Sequence, residues 1–238
     1  MKTLQKGDKK SPEFDRYASS YSELLAVPLR NRFARDPIHF HRRKWLVIQE
    51  LLKYAGVVPS TQRWLDLGCG RGELLDLAGN NFGQAVGCDP SAGMLASDSS
   101  IKKYEQPSQV ELPFEDNSFD FLTAVCVLHH VHGGDRTPLI NEIRRVLSPG
   151  GLCCIIEHNP MNPVTRAIVN RCPIDVDAEL ISARNTSRLL DASGFVSLRT
   201  DYFLCFPERV FDAFSAVERV LSKLPIGGQY ALLAQAPS

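Results

Sequence analysis

Short apolar runs alternate with segments of helical periodicity along most of the chain. The apolar runs predict strands at 62–67, 84–89, 119–126, 151–157, 195–205 and 230–234, and a short strand near 109–111. Between them, apolar residues that recur every three or four positions predict helices at 71–79, 91–102, 136–147, 179–192 and 207–223. This alternation predicts an α/β fold with a parallel sheet, because each helix returns the chain to the same end of the sheet.

The region before the first strand has a different character. Apolar residues at helical spacing predict one long helix at 38–54, and the pattern at 11–36 predicts short helices that form a lid. No internal repeat or low-complexity linker divides the chain of 238 residues. We therefore expect a single domain over 1–238, made of a helical N-terminal cap at 1–55 and an α/β core at 60–238.

The most informative motif follows the first predicted strand. Residues 65–74 read Leu-Asp-Leu-Gly-Cys-Gly-Arg-Gly-Glu-Leu, with glycines at alternate positions. Glycine lets the backbone turn sharply and lets a ligand lie directly on it, and the free N–H groups of a following helix face that ligand. The motif therefore predicts a nucleotide-type crevice at the carboxyl end of a strand.

Two acidic residues indicate which nucleotide this is. The dinucleotide fingerprint requires glycine where Glu73 stands, and Asp66 precedes the first glycine by two positions. A carboxylate there repels a pyrophosphate and attracts a cation. Asp89 lies 21 residues after Gly68, where a second strand ends and an acidic residue binds a ribose diol. Together they favour a positively charged, sugar-bearing ligand without phosphate, such as S-adenosylmethionine.

At these motifs the chain resembles the seven-stranded, class I S-adenosylmethionine-dependent methyltransferases of the small-molecule type. Residues 66–72 look like the family's first motif, and 112–120, 128–131 and 145–151 match later landmarks in the family's order. The resemblance spans roughly 40–238. It implies a Rossmann-like, seven-stranded, mostly parallel sheet with helices on both faces and an antiparallel last strand.

The resemblance also implies S-adenosyl-L-methionine as the cofactor. By position, the cofactor-binding residues are Asp66, Gly68, Cys69, Gly70, Gly72, Asp89, Pro90, Met94, Val125 and, in the cap, Tyr21. One departure concerns the adenine ring, because the aspartate that family members often carry before the Leu-Pro-Phe segment is absent. Ser108 or Gln109 stands there and offers hydrogen bonds in its place.

Methyl transfer from a sulfonium is an in-line displacement whose leaving thioether departs neutral, so alignment and desolvation supply most of the acceleration. A base is needed where the acceptor is a hydroxyl or a protonated amine. His158, which directly follows the apolar run 151–157, is our first candidate, and the alternative is that it only binds loop backbone. His129 is the second candidate, although the family's histidine pair at this place has a partly structural role.

The loop after strand five is the predicted substrate wall. It contributes Asn159, Asn162, Arg166 and Arg171, and the cap contributes Tyr17. A pocket arginine would select an anionic acceptor, whereas the alternative is an ordinary surface arginine. A basic group within 30–44 either holds a phosphorylated or carrier-bound substrate or forms a solvated helix face.

Composition argues against several classes of protein. The formal net charge of zero argues against a nucleic-acid-binding face. No apolar run approaches the roughly 20 residues of a membrane span, and no secretory signal follows Met1. Seven cysteines without a C-x-x-C pair predict buried, reduced thiols in a cytoplasmic protein and no metal site.

The sequence leaves several functions open. The first is O- or N-methylation of a small molecule, and the alternative within the same class is C-methylation in a biosynthetic pathway. A non-catalytic, cofactor-binding subunit that serves a partner through helix 207–223 is a different class. RNA methylation would require the basic group at 30–44 to lie beside the cofactor.

Overall fold

A mixed sheet forms the centre of the computed structural model, which describes residues 13–238. The strands are β1 Arg63–Leu67, β2 Gln84–Asp89, β3 Lys103–Glu105, β4 Phe119–Val125, β5 Leu147–His158, β6 Val196–Phe203 and β7 Gln229–Gln235. Within the described residues these seven strands have the order β3-β2-β1-β4-β5-β7-β6. The five strands from β3 to β5 pair in parallel, and β7 is antiparallel to both β5 and β6. The predicted α/β fold with an antiparallel last strand is confirmed.

Helices cover both faces of the sheet, as predicted. They are α1 Tyr21–Leu24, α2 Pro28–Phe33, α3 Pro37–Tyr54, α4 Glu73–Ala78, α5 Ala92–Leu95, α6 Gly133–Val146, α7 Pro163–Val169, α8 Ala183–Ala192 and α9 Glu208–Leu221. Successive strand residues point to opposite faces, so β1 sends Trp64 toward α3 and α4 and sends Leu65 toward α6 and α8. Each face thus buries its own apolar cluster, and the carboxyl ends of the parallel strands meet at one edge.

The third strand differs from its prediction. It lies at Lys103–Glu105, whereas 109–111 forms a turn closed by an isolated bridge between Ser108 and Glu111. The helix predicted at 91–102 is only the short α5, so the chain reaches the edge of β2 earlier. β3 is an edge strand without a fully buried residue, and it therefore lacks the apolar run by which strands are recognised.

The chain between β5 and α8 is more helical than predicted, since it contains α7. Before β1, the predicted long helix is α3, whose first turn is capped by the Asp36 carboxylate accepting from the N–H of Ile38 at 3.0 Å. The first twelve residues of the predicted cap lie outside the described residues. Among residues 13–238, no helix has the length and apolar character needed to cross a membrane.

The N-terminal cap packs against the loop after α7. Val27 from the cap and Cys172 and Ile174 from the loop form a small buried cluster. Phe14, Tyr17, Tyr21, Leu24, Leu25 and Leu29 surround this cluster. Residues far apart in sequence therefore close the space above the carboxyl ends of β1, β4 and β5.

Candidate active site

The glycine-rich turn after β1 has a backbone that only glycine adopts without strain. Gly68, Gly70 and Gly72 have φ angles of +66°, +53° and +93°. A side chain at Gly68 would also bring its Cβ to 2.5 Å from Cγ2 of Val127. The alternate spacing of these glycines thus follows from the geometry of the turn, which keeps the backbone accessible to a ligand.

Asp89 ends β2 and fastens this turn. Its two carboxylate oxygens accept hydrogen bonds from the backbone N–H groups of Gly70 at 2.9 Å and Ser91 at 2.8 Å. A carboxylate has about four acceptor positions, so about two remain for a ribose diol. Burial raises the pKa of Asp89, and the two N–H donors oppose that rise. The ribose contact itself stays a prediction.

Asp66 lies deeper than its predicted role required. It is 3% exposed, and its Oδ1 accepts a hydrogen bond from Oγ1 of Thr123 at 2.6 Å. The same hydroxyl oxygen accepts from Nε1 of Trp64 at 2.9 Å, so the three side chains join β1 to β4. Burial raises the pKa of Asp66 to about 7. Burial therefore works against the charged form of this carboxyl group, and its role toward a cationic cofactor stays a prediction.

Other predicted cofactor residues border the same turn. The backbone N–H of Cys69 donates to a carbonyl of β2 at 3.0 Å. Met94 is buried in α5, where its Cε would lie 3.3 Å from a Cβ placed on Gly70. Pro90 follows β2 directly, and Val125 is the last residue of β4. The geometry therefore gathers the residues predicted for the cofactor around one crevice.

Two further groups approach the crevice from the N-terminal side. Burial raises the pKa of the Tyr21 hydroxyl, and the carboxylate of Glu73, at the start of α4, raises it further. Lys44 of α3 is buried, and its positive charge opposes the rise in the pKa of Asp66. Tyr21 is thus near the glycine turn, although its contact with the cofactor stays a prediction. Lys44, a member of the basic group within 30–44, lies near Asp66, a position that the sequence did not predict for it.

The basic group within 30–44 divides into buried and exposed members. Arg43 is 3% exposed, forms an ion pair with Glu218 of α9, and stacks over the ring of Phe211 at 3.5 Å. Arg30 lies over the ring of Phe40 at 4.4 Å. Arg30 and Arg43 are therefore used in packing the cap and α3 against the core. Arg32, Arg35 and Arg42 are exposed, which fits the alternative of a solvated face.

A buried cluster of charged and imidazole groups lies at the ends of β4 and β5. His129 is 2% exposed; its Nδ1 is 2.5 Å from Oε2 of Glu157, and its Nε2 is 3.8 Å from Oδ1 of Asp175. Nε2 of His130 is 3.4 Å from the same Asp175 oxygen. Burial opposes the charged form of His129, but Glu157 and Asp175 outweigh it and raise the pKa of His129 well above its usual value.

His158 is the half-buried last residue of β5, with its ring centroid 5.1 Å from that of His129. Burial, together with the positive charge on His129, lowers the pKa of His158 to about 4. The same causes lower the pKa of His130 to about 4. The site therefore holds neutral imidazoles beside a protonated one at physiological pH.

The two asparagines of the predicted substrate wall have structural roles instead. Nδ2 of Asn159 donates to the carbonyls of Pro225 at 2.9 Å and Gly227 at 2.8 Å, which employs both amide hydrogens. Asn162 caps α7, and its Nδ2 donates to the carbonyl of Ile226 at 2.7 Å. Both side chains hold the loop after β5 to the turn before β7.

The remaining substrate candidates divide between cap and surface. Arg166 and Arg171 are exposed, and Nη1 of Arg171 donates to the carbonyl of Ala167 at 3.0 Å, which fits the alternative of surface arginines. Tyr17 packs edge-to-face on Phe14 with centroids 6.2 Å apart. Phe14 in turn meets the His130 ring edge-to-face at 4.8 Å, so the aromatic cap borders the histidine cluster.

Comparison with known proteins decides the family. The methyltransferase domain profile matches residues 65–155. The chain is 30% identical over 199 residues to the 2-phytyl-1,4-naphtoquinone methyltransferase of Nostoc punctiforme, covering 76% of this chain and 84% of that relative. The chain belongs to the class I S-adenosylmethionine-dependent methyltransferases. Its cofactor is S-adenosylmethionine, as predicted.

Other relatives of this methyltransferase agree with that assignment. The demethylmenaquinone methyltransferase of Staphylococcus aureus is 35% identical over 127 residues, which is 49% of this chain and 51% of that relative. A solved S-adenosylmethionine-dependent methyltransferase of Thermotoga maritima has the same fold, with a TM-score of 0.67 at 18% identity over 94% of this chain and 98% of its own.

Sequence reasoning missed several residues of the methyltransferase site. Asp175 lies in a loop without periodicity, and no motif marks it. Glu157 precedes His158 and no pattern marks its role, although it contacts His129 and accepts from the N–H of Leu128 at 2.6 Å. The adjacent histidines at 129 and 130 were the single sequence signal for these acidic partners, because imidazoles buried at a strand end need hydrogen-bond partners.

Proposed function

We propose that this methyltransferase transfers a methyl group to a small acceptor that carries an aromatic hydroxyl group, as a phenol or hydroquinone does. The observation that carries this proposal is the His158 ring with its centroid 5.1 Å from that of His129, a pair in which burial and charge favour a neutral His158 and a protonated His129. One group accepts a proton and the other stabilises the negative charge that its loss creates. These are the two residues predicted as catalytic from the sequence.

The proton step follows from this arrangement. The acceptor O–H bond breaks as an unprotonated nitrogen of His158 takes the proton, and the electron pair stays on oxygen and its ring. S-adenosylmethionine, when bound, would supply the methyl group to that oxygen or to a ring carbon next to it, and the C–S electron pair would leave with the sulfur. The His129 cation, held by Glu157, stabilises the developing oxyanion in a buried setting where charge interactions are strong.

The surroundings support an aromatic acceptor. Phe14 of the cap borders the histidine cluster, and Tyr17 and Tyr21 belong to the same apolar cap, so ring faces and edges are available there for stacking. The exposed positions of Arg166 and Arg171 argue against a pocket built around an anionic substrate. On the cofactor side, we assign the ribose diol to Asp89 and the cofactor carboxylate to the buried cation of Lys44.

Transfer to carbon is the second candidate, and the relatives favour it. Both named relatives act, by their names, on a naphthoquinone or menaquinone-type substrate. A reduced quinone ring becomes a carbon nucleophile once its hydroxyl proton is lost, so the same base serves transfer to oxygen or carbon. After C–C bond formation the ring carbon loses its proton, and the aromatic ring is restored.

Turnover with a panel of acceptors tests the proposal. The chain is incubated with S-adenosylmethionine and simple phenols, reduced naphthoquinones or primary amines, and S-adenosylhomocysteine is measured. We expect product with the hydroxyl-bearing rings, and mass fragmentation then distinguishes an O-methyl from a C-methyl product. Turnover of the amines alone would refute the hydroxyl acceptor while leaving methyl transfer intact.

Substitution of the base provides the second arm. His158→Gln keeps the size and polarity of the side chain but removes its basic nitrogen, so kcat is expected to fall by about 10²- to 10⁴-fold. Affinity for S-adenosylmethionine, measured by calorimetry, should stay within about twofold. His132→Ala, at an exposed histidine of the same segment, is the matched control. Wild-type turnover by His158→Gln would remove His158 from the mechanism.

A further inference from the structure

We infer that His129, His130 and Asp175 form a binding site for one divalent transition-metal ion, with Zn²⁺ as the preferred ion. Nε2 of each imidazole and a carboxylate oxygen of Asp175 all lie within 4.8 Å of one another. The sequence predicted no metal site, because these residues show no recognisable ligand spacing. Metal binding does not depend on which acceptor is methylated, but a bound ion takes the place of the proton on His129, so the metal would then supply the positive charge that the proposed function assigns to His129.

The distances within the cluster fit a shared ion better than direct hydrogen bonds. Asp175 Oδ1 lies 3.4 Å from His130 Nε2 and 3.8 Å from His129 Nε2. Charge-assisted hydrogen bonds between such groups are shorter, at about 2.7–2.9 Å. Two ligands bonded to Zn²⁺ at about 2.0–2.2 Å in tetrahedral geometry lie about 3.4 Å apart. The His130–Asp175 pair stands at the separation that an ion between them requires, and the other donors, all within 4.8 Å of one another, would move closer on binding.

The carboxylate of Glu157 already orients His129, the most buried of the three proposed ligands. Oε2 of Glu157 is 2.5 Å from Nδ1 of His129, which leaves Nε2 to face Asp175. This carboxylate–histidine arrangement is the usual support of a metal-bound imidazole, because it fixes the tautomer and the ring orientation. The other oxygen of Glu157 accepts from the N–H of Leu128 at 2.6 Å, so Glu157 is itself held in place.

The backbone around the ligands is also fixed. Nε of Arg136 donates to the carbonyls of Leu128 and Val131, each at 3.0 Å, on either side of the histidine pair. The N–H of Glu179 donates to the carbonyl of His129 at 2.8 Å, which joins this turn to the chain beyond Asp175. Ligands from two separate segments are thus held together without the metal, as a preformed site requires.

Charge balance favours a divalent cation. Glu157 is 1% exposed and the side chain of Asp175 is 9% exposed, so two carboxylates are buried in one cluster. Buried charges require compensation by partners of opposite sign. A divalent ion bound by two neutral imidazoles balances both carboxylates, whereas a single proton on His129 balances one.

The donor set indicates the kind of ion. Two imidazole nitrogens and one carboxylate oxygen suit Zn²⁺ and its first-row neighbours, whereas Mg²⁺ and Ca²⁺ prefer oxygen ligands. Three protein ligands leave a fourth tetrahedral position for water or an oxygen of another molecule.

Metal titration of the untagged full chain tests the inference. After dialysis against a chelator, we expect Zn²⁺ calorimetry and elemental analysis to give one ion per chain, and Co²⁺ to give visible bands typical of nitrogen and oxygen ligands. His130→Ala and Asp175→Asn should each weaken binding by at least 100-fold. Glu157→Gln should weaken it about 10- to 100-fold, as expected for a residue that supports a ligand.

The controls separate this site from other sources of metal affinity. His132→Ala should bind Zn²⁺ like the wild type, and circular dichroism with S-adenosylmethionine calorimetry should show that each variant is folded. Absence of stoichiometric binding by the wild type would overturn the inference. So would wild-type affinity in both His130→Ala and Asp175→Asn, or a sulfur-to-cobalt charge-transfer band, which would assign the metal to cysteine thiolates. None of these readouts depends on turnover, so loss of the proposed acceptor chemistry would leave them unchanged.

Discussion

The glycine turn offers a quantitative test of how the backbone builds the cofactor site, through Gly68→Ala. The added Cβ has two separate costs. Gly68 has a φ of +66°, a conformation that costs a residue with a side chain about 1–2 kcal/mol. The Cβ would also lie 2.5 Å from Cγ2 of Val127, a β-branched side chain that cannot easily rotate away.

The second cost is estimated from the response of packed sites to added atoms. Overpacking of this kind costs about 1–3 kcal/mol, so Gly68→Ala should destabilise the fold by about 2–5 kcal/mol in total. Gly56→Ala is the matched control, because Gly56 has a φ of +70° and nothing within 4 Å of an added Cβ. That variant should be destabilised only by its backbone conformation, by about 1–2 kcal/mol.

Urea unfolding of four variants separates the cost of the backbone conformation from the cost of the steric overlap. Besides the two alanine variants, Val127→Ala and the Gly68→Ala/Val127→Ala double variant complete a cycle in which removal of Cγ2 relieves the overlap. We expect a favourable coupling of about 1–3 kcal/mol between the two substitutions. Calorimetry should show that Gly68→Ala raises the Kd for S-adenosylmethionine by about tenfold or more, which corresponds to about 1.4 kcal/mol. The reasoning fails if Gly68→Ala behaves like Gly56→Ala in both stability and affinity.

Two further predictions concern charges that hold the fold. Hydrogen bonds from the Arg63 guanidinium lower the pKa of Asp120 to about 2, so this pair stabilises the fold above the ordinary carboxyl pKa and loses its effect as the pH falls through about 2. Arg63→Met should therefore lower the free energy of unfolding, measured in urea, by about 1 kcal/mol at pH 6 and by less at pH 3. An equal loss at both pH values would contradict this. Glu218→Gln leaves the buried Arg43 cation without its ion-pair partner and should lower the free energy of unfolding by about 3–5 kcal/mol. Asp212→Asn, at an exposed acidic residue of the same helix, is the control and should lower it by less than about 0.5 kcal/mol. Equal stabilities of these two variants would show that the ion pair contributes nothing.

The parts of the fold that could be predicted are those whose physical cause is local. β1, β4 and β7 are buried on both faces and therefore appear as continuous apolar runs. β3 was misplaced because an edge strand has no such run, and only its pairing with β2 defines it. The extent of α5 was also misjudged, since helical spacing alone does not say where tertiary contacts end a helix.

The candidate site divides in the same way. The glycine turn and Asp89 are adjacent in sequence to the strands that position them, and their spacing shows the constraint directly. The contacts of His129 with Asp175, and of Asn159 with the turn before β7, join segments that only the folded sheet brings together. An asparagine side chain can bind a substrate or a backbone carbonyl, and which of the two it binds depends on the backbone groups that the fold brings near it.

The sequence by itself determined the order of strands and helices, the glycine turn and the class of cofactor, because each depends on neighbours within one turn or strand. The tertiary structure decided the partners of His129, the burial of Asp66, Arg43 and Lys44, and the structural use of the asparagines. These depend on long-range packing: burial sets the charge of each group, and chain segments distant in sequence supply the hydrogen-bond partners.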